Sequence, residues 1–371
     1  MEPNLAAAPG GNTVLVDLGD RSYPIHIVSS ATGRFAAAVK SAVGDLTHAL
    51  VICDQAVAPL ANSLTEQLQT VTQRTAIYEV PSGEPSKSVQ QYETLLEWML
   101  SQGADRKTVV FAVGGGVIGD LAGFVAASFA RGVRFVQVPT TLLAMVDSSV
   151  GGKTGINLSG AKNMVGAFWQ PELVWIDTDV MNTLPDRSYR SGLAEVVKYG
   201  VIDDAEFFEY LDQNAETLVG RENEALRFSI ARSCQSKASV VGEDERETSG
   251  RRAILNYGHT FAHAIEATAG YGKLLHGEAV SIGMQMAASL AIDLNLCDAE
   301  LLRRQTQLLQ RCELPIRFPD ADVDAMLPVM MRDKKVAHGK LRFILPKRIG
   351  HVELVGDVDQ DLVRKAILAH K

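Results

Sequence analysis

The chain has 371 residues, of which 46% are hydrophobic and 22% are charged, and its 44 acidic and 36 basic side chains leave a net charge of −8. This composition excludes a largely disordered chain, and the acidic balance argues against a nucleic-acid-binding surface. The longest apolar run, residues 112–130, carries Asp120 near its centre and five glycines, which argues against a membrane span.

The first half of the chain alternates short apolar runs with helical patterns. Val89, Tyr92, Leu95, Leu96 and Met99 are spaced to share one helical face. Runs that predict buried strands occur at 49–54, 77–80, 108–113, 134–138 and 173–177. Strands that alternate with helices predict an α/β fold with a mainly parallel sheet and helices on both faces.

The pattern changes after Pro185, where long helical stretches replace the strand-like runs. These stretches are residues 188–201, 222–241, 256–269, 276–295 and 299–311, and residues 341–345 and 351–354 suggest a late strand pair. We therefore expect a flexible tail over 1–11, an α/β domain with a nucleotide-binding sheet over 12–184, and a mostly α-helical metal- and substrate-binding domain over 185–371.

A glycine-rich turn follows the strand predicted at 108–113. Gly114, Gly116 and Gly119 fit the pattern G-x-G-x-x-G, in which glycines let the backbone approach a pyrophosphate at a helix N-terminus. The acidic residue expected about 20 positions later is missing, whereas Asp54 ends an earlier strand. The turn predicts a nucleotide that lies across the sheet in a different register; the alternative is a tight turn without a ligand.

Residues 147–155, Asp-Ser-Ser-Val-Gly-Gly-Lys-Thr-Gly, look like a phosphate-binding Walker loop but lack the spacing G-x-x-x-x-G-K-[ST]. We do not predict such a loop. Lys153, Lys162 and Asn163 are instead expected as two cations and an amide near the carboxyl edge of the sheet.

The helical half contains residues typical of a metal site. Glu195 and Lys198 are three positions apart on an otherwise apolar helical face, His259 and His263 are four apart, and His276 begins another apolar helix. Imidazoles with a carboxylate form a common catalytic zinc set. The spacing leaves open which three of Glu195, His259, His263 and His276 bind the metal, and whether one histidine carries protons instead.

Several cations in this acidic chain lie close to these motifs. Lys237 is on an apolar helix, Arg251 and Arg252 precede the histidine motif, and Arg332–Lys335 follow downstream. They suggest an anionic substrate, because Arg and Lys bind carboxylates and phosphates. The four cysteines are far apart and form no C-x-x-C motif, and the N-terminus lacks a signal-peptide pattern, so we expect reduced thiols in a cytoplasmic protein with no membrane partner.

Motifs spread in order over residues 80–345 together resemble the 3-dehydroquinate synthase family of the sugar phosphate cyclases. They are Gly114–Asp120, Val138–Thr141, Asp147–Gly155, Ala161–Asn163, Ala194–Lys198, Leu255–His263, His276–Glu278 and Asp333–Lys335. The resemblance implies a lyase of the shikimate pathway of aromatic amino acid biosynthesis. Its members convert 3-deoxy-D-arabino-heptulosonate 7-phosphate to 3-dehydroquinate and phosphate, with bound NAD and a divalent metal, zinc or else cobalt.

The resemblance also assigns roles to individual residues. Glu195, His259 and His276 would bind the metal, His263 would carry protons, and Arg131 would reach the substrate phosphate across a homodimer interface. The substrate pocket would be lined by Asp147, Lys153, Asn163, Lys198, Lys237, Arg252, Asn256 and one of Lys334 or Lys335. NAD would be held by Asp54, Gly83, Glu84, Lys87, Gly115, Gly116, Val117, Ile118, Gly119, Asp120, Thr140, Thr141, Asp147, Lys153, Lys162 and Thr183.

Three alternatives share this architecture. One is a sugar phosphate cyclase of different specificity, such as 2-deoxy-scyllo-inosose synthase or an epi-valiolone synthase. The others are a polyol dehydrogenase of the glycerol dehydrogenase type and a binding protein without activity. Lys237, Arg252, Asn256 and His263 occur together here, which favours a substrate that carries a carboxylate.

Overall fold

The structure is a computed structural model that describes residues 11–30, 33–159, 161–270, 273–332 and 341–371. Most of the predicted tail and both Lys334 and Lys335 lie outside the described residues, whereas Gly11 begins the first strand. The chain divides into two compact units. The first contains the residues up to Leu184 together with Lys237–Arg246, and the second contains Pro185–Ser236 and Glu247–Lys371.

The first unit is built on a mainly parallel sheet, which confirms the predicted fold class. Its helices are α1 (Phe35–Val43), α2 (Ala58–Leu68), α3 (Val89–Ser101) and α4 (Gly116–Ser128). Its strands are β1 (Gly11–Val16), β2 (Tyr23–Val28), β3 (Ala49–Asp54), β4 (Thr75–Val80), β5 (Val109–Gly114), β6 (Arg134–Pro139), β7 (Lys153–Leu158), β8 (Ala161–Phe168) and β9 (Leu173–Asp177). Within the described residues, seven strands pair in the order β1-β2-β9-β6-β5-β3-β4, with only β1 antiparallel to its neighbour, and β7 and β8 form a separate antiparallel hairpin.

The sheet of the first unit is covered on both faces. Val51 and Phe111 belong to an apolar cluster with residues of α1 and α2, whereas Leu50 and Val110, one position earlier, belong to a cluster with residues of α3 and α4. Successive side chains of a strand point to opposite faces, so a strand buried on both faces has a continuous apolar sequence. This explains why β3 and β5 are visible in the sequence as unbroken hydrophobic runs.

The strand order places the glycine turn beside Asp54. β3 pairs in parallel with β5 on one side and with β4 on the other, so the direction of winding reverses between β3 and β5. In open α/β sheets, ligands bind at the carboxyl ends of the strands at such a reversal. Asp54 ends β3 and Gly114 ends β5, which puts both at this position.

The second unit is mostly helical, and residues 237–246 group with the first unit rather than with it. Its elements are α5 (Asp186–Ile202), α6 (Ala205–Gln213), α7 (Ala215–Val219), the first part of α8 (Asn223–Glu243), α9 (His259–Ala269), α10 (His276–Asp293), α11 (Ala299–Arg311), α12 (Val323–Arg332), the antiparallel strands β10 (Phe343–Arg348) and β11 (His351–Val355), and α13 (Gln360–Ala369). In the part of the chain that the structure describes, no helix is both long and apolar enough to cross a membrane.

Glycines allow α5, α9 and α10 to approach each other closely. The Gly277 amide donates a hydrogen bond of 3.0 Å to the Ser191 hydroxyl. A Cβ atom at Gly277 would lie 1.8 Å from the Ser191 carbonyl oxygen, and one at Gly283 would lie 2.2 Å from the Gly258 carbonyl oxygen. Real Cβ atoms do not make such contacts, so these glycines permit backbone-to-backbone packing among the helices that carry the candidate metal ligands.

Candidate functional site

A carboxylate and two imidazoles converge from three helices of the second unit. Glu195 lies in the middle of α5, whereas His259 and His276 are the first residues of α9 and α10. Nε2 of His259 and Nε2 of His276 lie 3.5 and 3.6 Å from Glu195 Oε1. One donor atom of each residue lies within 4.8 Å of the other two. The structure therefore brings together the three residues that the resemblance assigns to the metal.

The distances and the chemistry of this cluster fit a zinc-type ion. A tetrahedral ion bonded at about 2.1 Å holds its ligand atoms about 3.4 Å apart, close to the separations from Glu195 Oε1 to the two histidines. Two imidazole nitrogens and one carboxylate oxygen are a typical catalytic donor set, and three ligands leave a fourth position for water or substrate.

Burial and neighbouring carboxylates together set the charge of the cluster. The Glu195 side chain is fully buried, and its carboxylate contacts the ammonium group of Lys198, which is also buried, one turn later on α5. Burial lowers the pKa of His259 well below its ordinary value, although Glu195 opposes this. Burial also tends to lower the pKa of His276, but hydrogen bonds with Glu195 and Glu266 raise it to about 10.

The unprotonated state of His259 leaves one ring nitrogen free to bind a metal. His259 Nδ1 lies 3.1 Å from the Tyr257 carbonyl oxygen, so Nδ1–H donates to this oxygen and Nε2 presents its lone pair toward Glu195. Metal-binding histidines are commonly oriented in this way by a partner of the second nitrogen.

His263 is outside the donor cluster. It lies one turn after His259 on α9, is exposed, and its ring centroid is 5.7 Å from that of His259. Of the four candidates that the spacing left open, the geometry thus separates His263 from the other three. An exposed imidazole beside a metal cluster is well placed to exchange protons with a substrate.

Two further candidates lie in the turn that leads into α9. Arg252 and Asn256 belong to the 3₁₀ turn Arg251–Asn256, where Arg252 is almost fully buried and Asn256 is half-buried. Arg252 Nε lies 3.6 Å from Glu247 Oε1, and Asn256 Nδ2 donates to the Ala253 carbonyl oxygen at 3.3 Å. The guanidinium of Arg252 is therefore held near the start of α9 by an acidic residue that the sequence patterns did not indicate.

In the first unit, the glycine turn forms a close junction between β5 and α4. A Cβ atom at Gly114 would lie 2.6 Å from Ile118 Cγ1, and one at Gly119 would lie 2.8 Å from Gln137 Oε1. At Gly116 a Cβ atom would lie 2.9 Å from Ser148 Oγ, and within the described residues no side chain caps the start of α4. A side chain at any of the three positions would therefore clash, and Gly116 in addition begins a helix whose uncapped N-terminus favours anions.

Several residues assigned to NAD are linked by a network of hydrogen bonds. Lys87, which is buried, donates from Nζ to Asp120 Oδ2 at 2.6 Å and to Asn163 Oδ1 at 2.5 Å. The Asn163 amide donates to Asn157 Oδ1 at 2.9 Å, and Asn157 Nδ2 donates to Glu84 Oε1 at 2.7 Å. Burial raises the pKa of Asp120, while Lys87 lowers it. The network thus links α4, the β7–β8 hairpin and the segment before α3, and it fixes these side chains relative to one another.

The remaining residues at the carboxyl ends of the strands are held by local bonds. The Asp54 carboxylate accepts from the Ala56 amide at 2.9 Å and from the Ser82 hydroxyl. Gly83 has a left-handed φ of 105°. The Thr140 amide donates to the Gly114 carbonyl oxygen at 2.9 Å, and Thr141 Oγ1 accepts from the Ala144 amide at 3.2 Å.

Asp147 and Lys237 form a charged pair in the first unit. Lys237 Nζ donates to both the carbonyl oxygen and Oδ1 of Asp147, each at 2.6 Å. Asp147 lies in a π-helical turn, Ala144–Ser148, a conformation often found at functional sites. This turn and the following strand β7 occupy the segment that looks like a Walker loop, so no strand–loop–helix of that type forms there.

Besides Gly83 and Asn163, four more candidate residues are at the surface of the first unit. Lys153, which begins β7, Lys162 on β8, Arg131 and Thr183 are exposed. Arg131 and the preceding Ala130 have left-handed φ values of 68° and 50°. Two successive non-glycine residues in this conformation are unusual, and such strain is commonly associated with functional loops.

Glu266 is a residue near the cluster that the sequence patterns did not indicate. Its Oε1 lies 3.5 Å from His276 Nδ1. The signal was present in the sequence, because Glu266 follows His259 by seven residues and therefore lies on the same face of α9, about two turns later.

The comparisons with known proteins agree with this arrangement. The family model for the 3-dehydroquinate synthase N-terminal domain matches residues 77–191, and that for the C-terminal domain matches residues 192–336. The 3-dehydroquinate synthase of Rhodopirellula baltica is 62% identical over 363 residues, which are 96% of this chain and 97% of that protein.

Two solved structures are similar to both units. A 2-deoxy-scyllo-inosose synthase complexed with carbaglucose-6-phosphate, NAD⁺ and Co²⁺ has a TM-score of 0.88 at 27% identity, with 97% of this chain and 100% of that chain covered. The 2-epi-5-epi-valiolone synthase ValA from Streptomyces hygroscopicus subsp. jinggangensis 5008, with NAD⁺ and Zn²⁺ bound, has a TM-score of 0.84 at 28% identity, with 95% and 98% covered. The two family models span most of the chain, and the identity to the Rhodopirellula protein extends over nearly all of it. The chain therefore belongs to the 3-dehydroquinate synthase family.

Proposed function

We propose that the chain converts 3-deoxy-D-arabino-heptulosonate 7-phosphate to 3-dehydroquinate and inorganic phosphate, with NAD and a divalent zinc or cobalt ion. The observation that carries this proposal is the cluster of Glu195, His259 and His276 in a chain that is 62% identical to a 3-dehydroquinate synthase. The structural neighbours of other specificity are only 27% and 28% identical, which favours the dehydroquinate reaction among the sugar phosphate cyclases.

The reaction has no net redox change. The substrate is oxidised at one hydroxyl, loses phosphate by elimination next to the new ketone, is reduced again, opens its ring and closes as a carbocycle by an intramolecular aldol step. When bound, NAD supplies the reversible hydride acceptor, and the divalent ion polarises the substrate hydroxyl that is oxidised.

The metal would be held by Glu195, His259 and His276. The donor set, its burial and the separations of 3.5 and 3.6 Å support this assignment. Lys198 lies beside Glu195 as a fixed cation, so it can stabilise negative charge that develops on a substrate oxygen near the cluster.

His263 would exchange protons with the substrate. Its exposure and its position one turn after His259 support this role, because an accessible imidazole can return to its starting protonation state from solvent between turnovers.

Cations and amides of the site would bind the substrate's two anionic groups. Arg252 and Asn256 lie on one turn of the second unit, and a buried guanidinium is suited to a carboxylate. The other side chains assigned to the substrate pocket are Asp147, Lys153, Asn163, Lys198, Lys237 and one of Lys334 or Lys335, the last two outside the described residues. Removing the phosphate requires stabilisation of its charge as it leaves, which cations provide.

NAD would lie over the carboxyl ends of β3 and β5. The uncapped N-terminus of α4 at Gly116 suits the pyrophosphate, and Asp54 is suited to accept hydrogen bonds from ribose hydroxyls. The other residues that we assign to NAD are Gly83, Glu84, Lys87, Gly115, Val117, Ile118, Gly119, Asp120, Thr140, Thr141, Asp147, Lys153, Lys162 and Thr183.

We further propose a homodimer in the cytoplasm, in which Arg131 of each subunit reaches the phosphate in the other subunit's site. The exposed, left-handed conformation of Arg131 supports a role outside its own unit. Exposed apolar residues on the β7–β8 hairpin, Leu158, Met164 and Phe168, support burial of this surface by a second copy. None of the four cysteines forms a disulfide within the described residues, which is consistent with a reducing compartment.

The test is an assay of the purified protein for phosphate release from the heptulosonate phosphate. We expect release that is abolished by a chelator and restored by zinc, without accumulation of NADH. Stoichiometric formation of NADH would indicate a polyol dehydrogenase, and release only from a hexose 6-phosphate would indicate a cyclase of different specificity. Either result would overturn the proposal.

A further inference from the structure

We propose that Glu266 is a positioning residue that holds the ring of His276 with Nε2 directed at the metal. This inference rests on the proposed function of the Glu195, His259 and His276 cluster as a metal site. Glu266 is not one of the three donor residues. It lies on α9, whereas His276, the residue that it positions, lies on α10.

The first observation is the position of the His276 ring between two carboxylates. Its Nε2 lies 3.6 Å from Glu195 Oε1, and its Nδ1 lies 3.5 Å from Glu266 Oε1. The two nitrogens are on opposite sides of the imidazole, so a proton on Nδ1 faces Glu266 while Nε2 faces the donor cluster. Rotation of the ring by half a turn would place Cε1 where Nε2 faces the cluster and Cδ2 where Nδ1 faces Glu266, so both polar contacts would be lost.

The second observation is the parallel with His259. His259 Nδ1 donates to the Tyr257 carbonyl oxygen at 3.1 Å, two residues earlier on the same chain segment. His276 begins α10, and its Nδ1 instead faces a side chain from α9. A metal-binding imidazole generally needs such an acceptor on its second nitrogen to fix the tautomer and the ring orientation. Each histidine of the cluster is thus supplied with one acceptor, a carbonyl for His259 and a carboxylate for His276.

The third observation is the placement of Glu266 by its helix. His259, His263 and Glu266 follow the spacing i, i+4, i+7, which puts all three on one face of α9. Glu266 is half-buried, with a side-chain exposure of 19%. A carboxylate that is mostly shielded from water interacts more strongly with an imidazole N–H than an exposed one would, and it increases electron donation from Nε2 to a metal.

The experiment compares metal binding by the wild-type protein with that of Glu266→Ala and Glu266→Gln. The apo-proteins are titrated with Co²⁺, the dissociation constant is measured by competition with a chelator, and the visible d–d absorption reports the coordination geometry. We expect Glu266→Ala to raise the dissociation constant by about 10- to 100-fold and to change the d–d spectrum. We expect Glu266→Gln to recover most of the loss, because its amide oxygen still accepts from Nδ1–H.

Asp293→Asn is the matched control. Asp293 lies on the same helix as His276, about 25 Å away, and is 20% exposed in a 2.7 Å ion pair with Lys365. We expect this control to bind Co²⁺ like the wild type. The melting temperatures of the apo-proteins show whether a variant is destabilised. If Glu266 had only a structural role, its replacement would lower the melting temperature but leave the metal dissociation constant unchanged.

The outcomes distinguish the inference from the function on which it rests. If wild type itself fails to bind Co²⁺, or binds equally after Glu195→Gln, the proposed metal site is wrong. If wild type binds but Glu266→Ala and Glu266→Gln both stay within twofold of it, the role of Glu266 is wrong. Should Glu266→Ala not fold, Glu266→Leu replaces it, because leucine fills a similar volume but cannot accept a hydrogen bond from Nδ1–H. A rise of threefold or more in the dissociation constant of Glu266→Leu supports the role, and any smaller change overturns it.

Discussion

The ammonium group of Lys198 contacts the carboxylate of Glu195 from one turn further along α5, at a place where the two side chains are 1% and 0% exposed. A buried carboxylate is strongly destabilising unless a counter-charge accompanies it. Lys198 supplies this positive charge from the same helix, so the negative charge of Glu195 is compensated before an ion binds.

Removal of Lys198 alone should destabilise the apo-protein. We expect Lys198→Met to lower the free energy of unfolding by about 3 kcal/mol or more, because the buried carboxylate of Glu195 loses the cation nearest to it. Saturating zinc should reduce this deficit, since the ion provides the missing positive charge. The double variant Glu195→Gln/Lys198→Met removes both charges and should lie within about 1 kcal/mol of wild type. Denaturant unfolding with and without zinc measures these differences, and an unchanged single variant would contradict the argument.

Metal content should distinguish the donor residues from His263. Glu195→Gln should lose stoichiometric zinc, because a neutral amide is a much weaker ligand than a carboxylate. His263→Ala should retain it and lose about 10²- to 10⁴-fold in turnover, the usual contribution of a positioned acid–base group. Elemental analysis of dialysed protein, together with the phosphate-release assay, measures both effects. Zinc loss in His263→Ala would show that the donor assignment is wrong.

Metal binding should release a proton from the cluster. The pKa of His276 is raised to about 10 by Glu195 and Glu266 against the effect of burial, so His276 is protonated at neutral pH and must lose a proton to bind. Apparent affinity should therefore rise about tenfold per pH unit below that pKa. At pH 6, where zinc-bound water remains mostly protonated, a pH indicator should report about one proton per zinc ion. Glu195→Gln is the blank, and no release by wild type would contradict the prediction.

The contact between Gly277 and Ser191 should be intolerant of a methyl group. A Cβ atom at Gly277 would lie 1.8 Å from the Ser191 carbonyl oxygen, so Gly277→Ala forces α5 and α10 apart. We expect a loss of about 2–3 kcal/mol of stability and weaker zinc binding, because His276 is the adjacent residue. Gly356→Ala is the control, since its Cβ atom would meet Arg342 Cγ at 3.9 Å. Equal thermal stability of the two variants would show that the packing is looser than described.

The proposed exchange of Arg131 between subunits predicts complementation. Arg131→Ala and Lys198→Ala homodimers should each be nearly inactive. When the two chains are co-expressed in equal amounts, half of the dimers are mixed and each mixed dimer has one intact site, so about a quarter of wild-type activity should return. Light scattering of the purified mixture confirms the dimer. Recovery of no activity would show that Arg131 acts within its own subunit.

The sheet of the first unit was largely predictable from the sequence. β3, β5 and β9 are buried on both faces and therefore have nearly continuous apolar sequences, and in β6 only Gln137 interrupts the buried apolar residues. β1 and β2 were not predicted, since β2 contains Pro24 and His26 within its apolar residues. The hairpin of β7 and β8 was also missed, because its sequence is rich in Lys, Asn and Gly and most of β8 is exposed.

The donor set was only partly predictable from spacing. The pattern identified four candidates, and helical periodicity alone places both His259 and His263 on one face of α9. The choice between them depends on how α9 packs against α5 and α10, which is set by contacts at Gly258, Gly277 and Gly283. Glu247 was not predicted because its contact with Arg252 depends on the folded turn. The spacing of Glu266 from His259 was visible in the sequence, but its contact with His276 depends on the packing of α9 against α10.

The three donor residues are separated by 64 and 17 positions in the chain and belong to three different helices. In the unfolded chain these residues are too far apart to bind one ion together. An ion therefore binds the folded state and stabilises it against unfolding. Each tenfold increase of free metal above the dissociation constant then adds about 1.4 kcal/mol to the stability of the fold. The fraction of folded protein in a cell would consequently follow the supply of the metal.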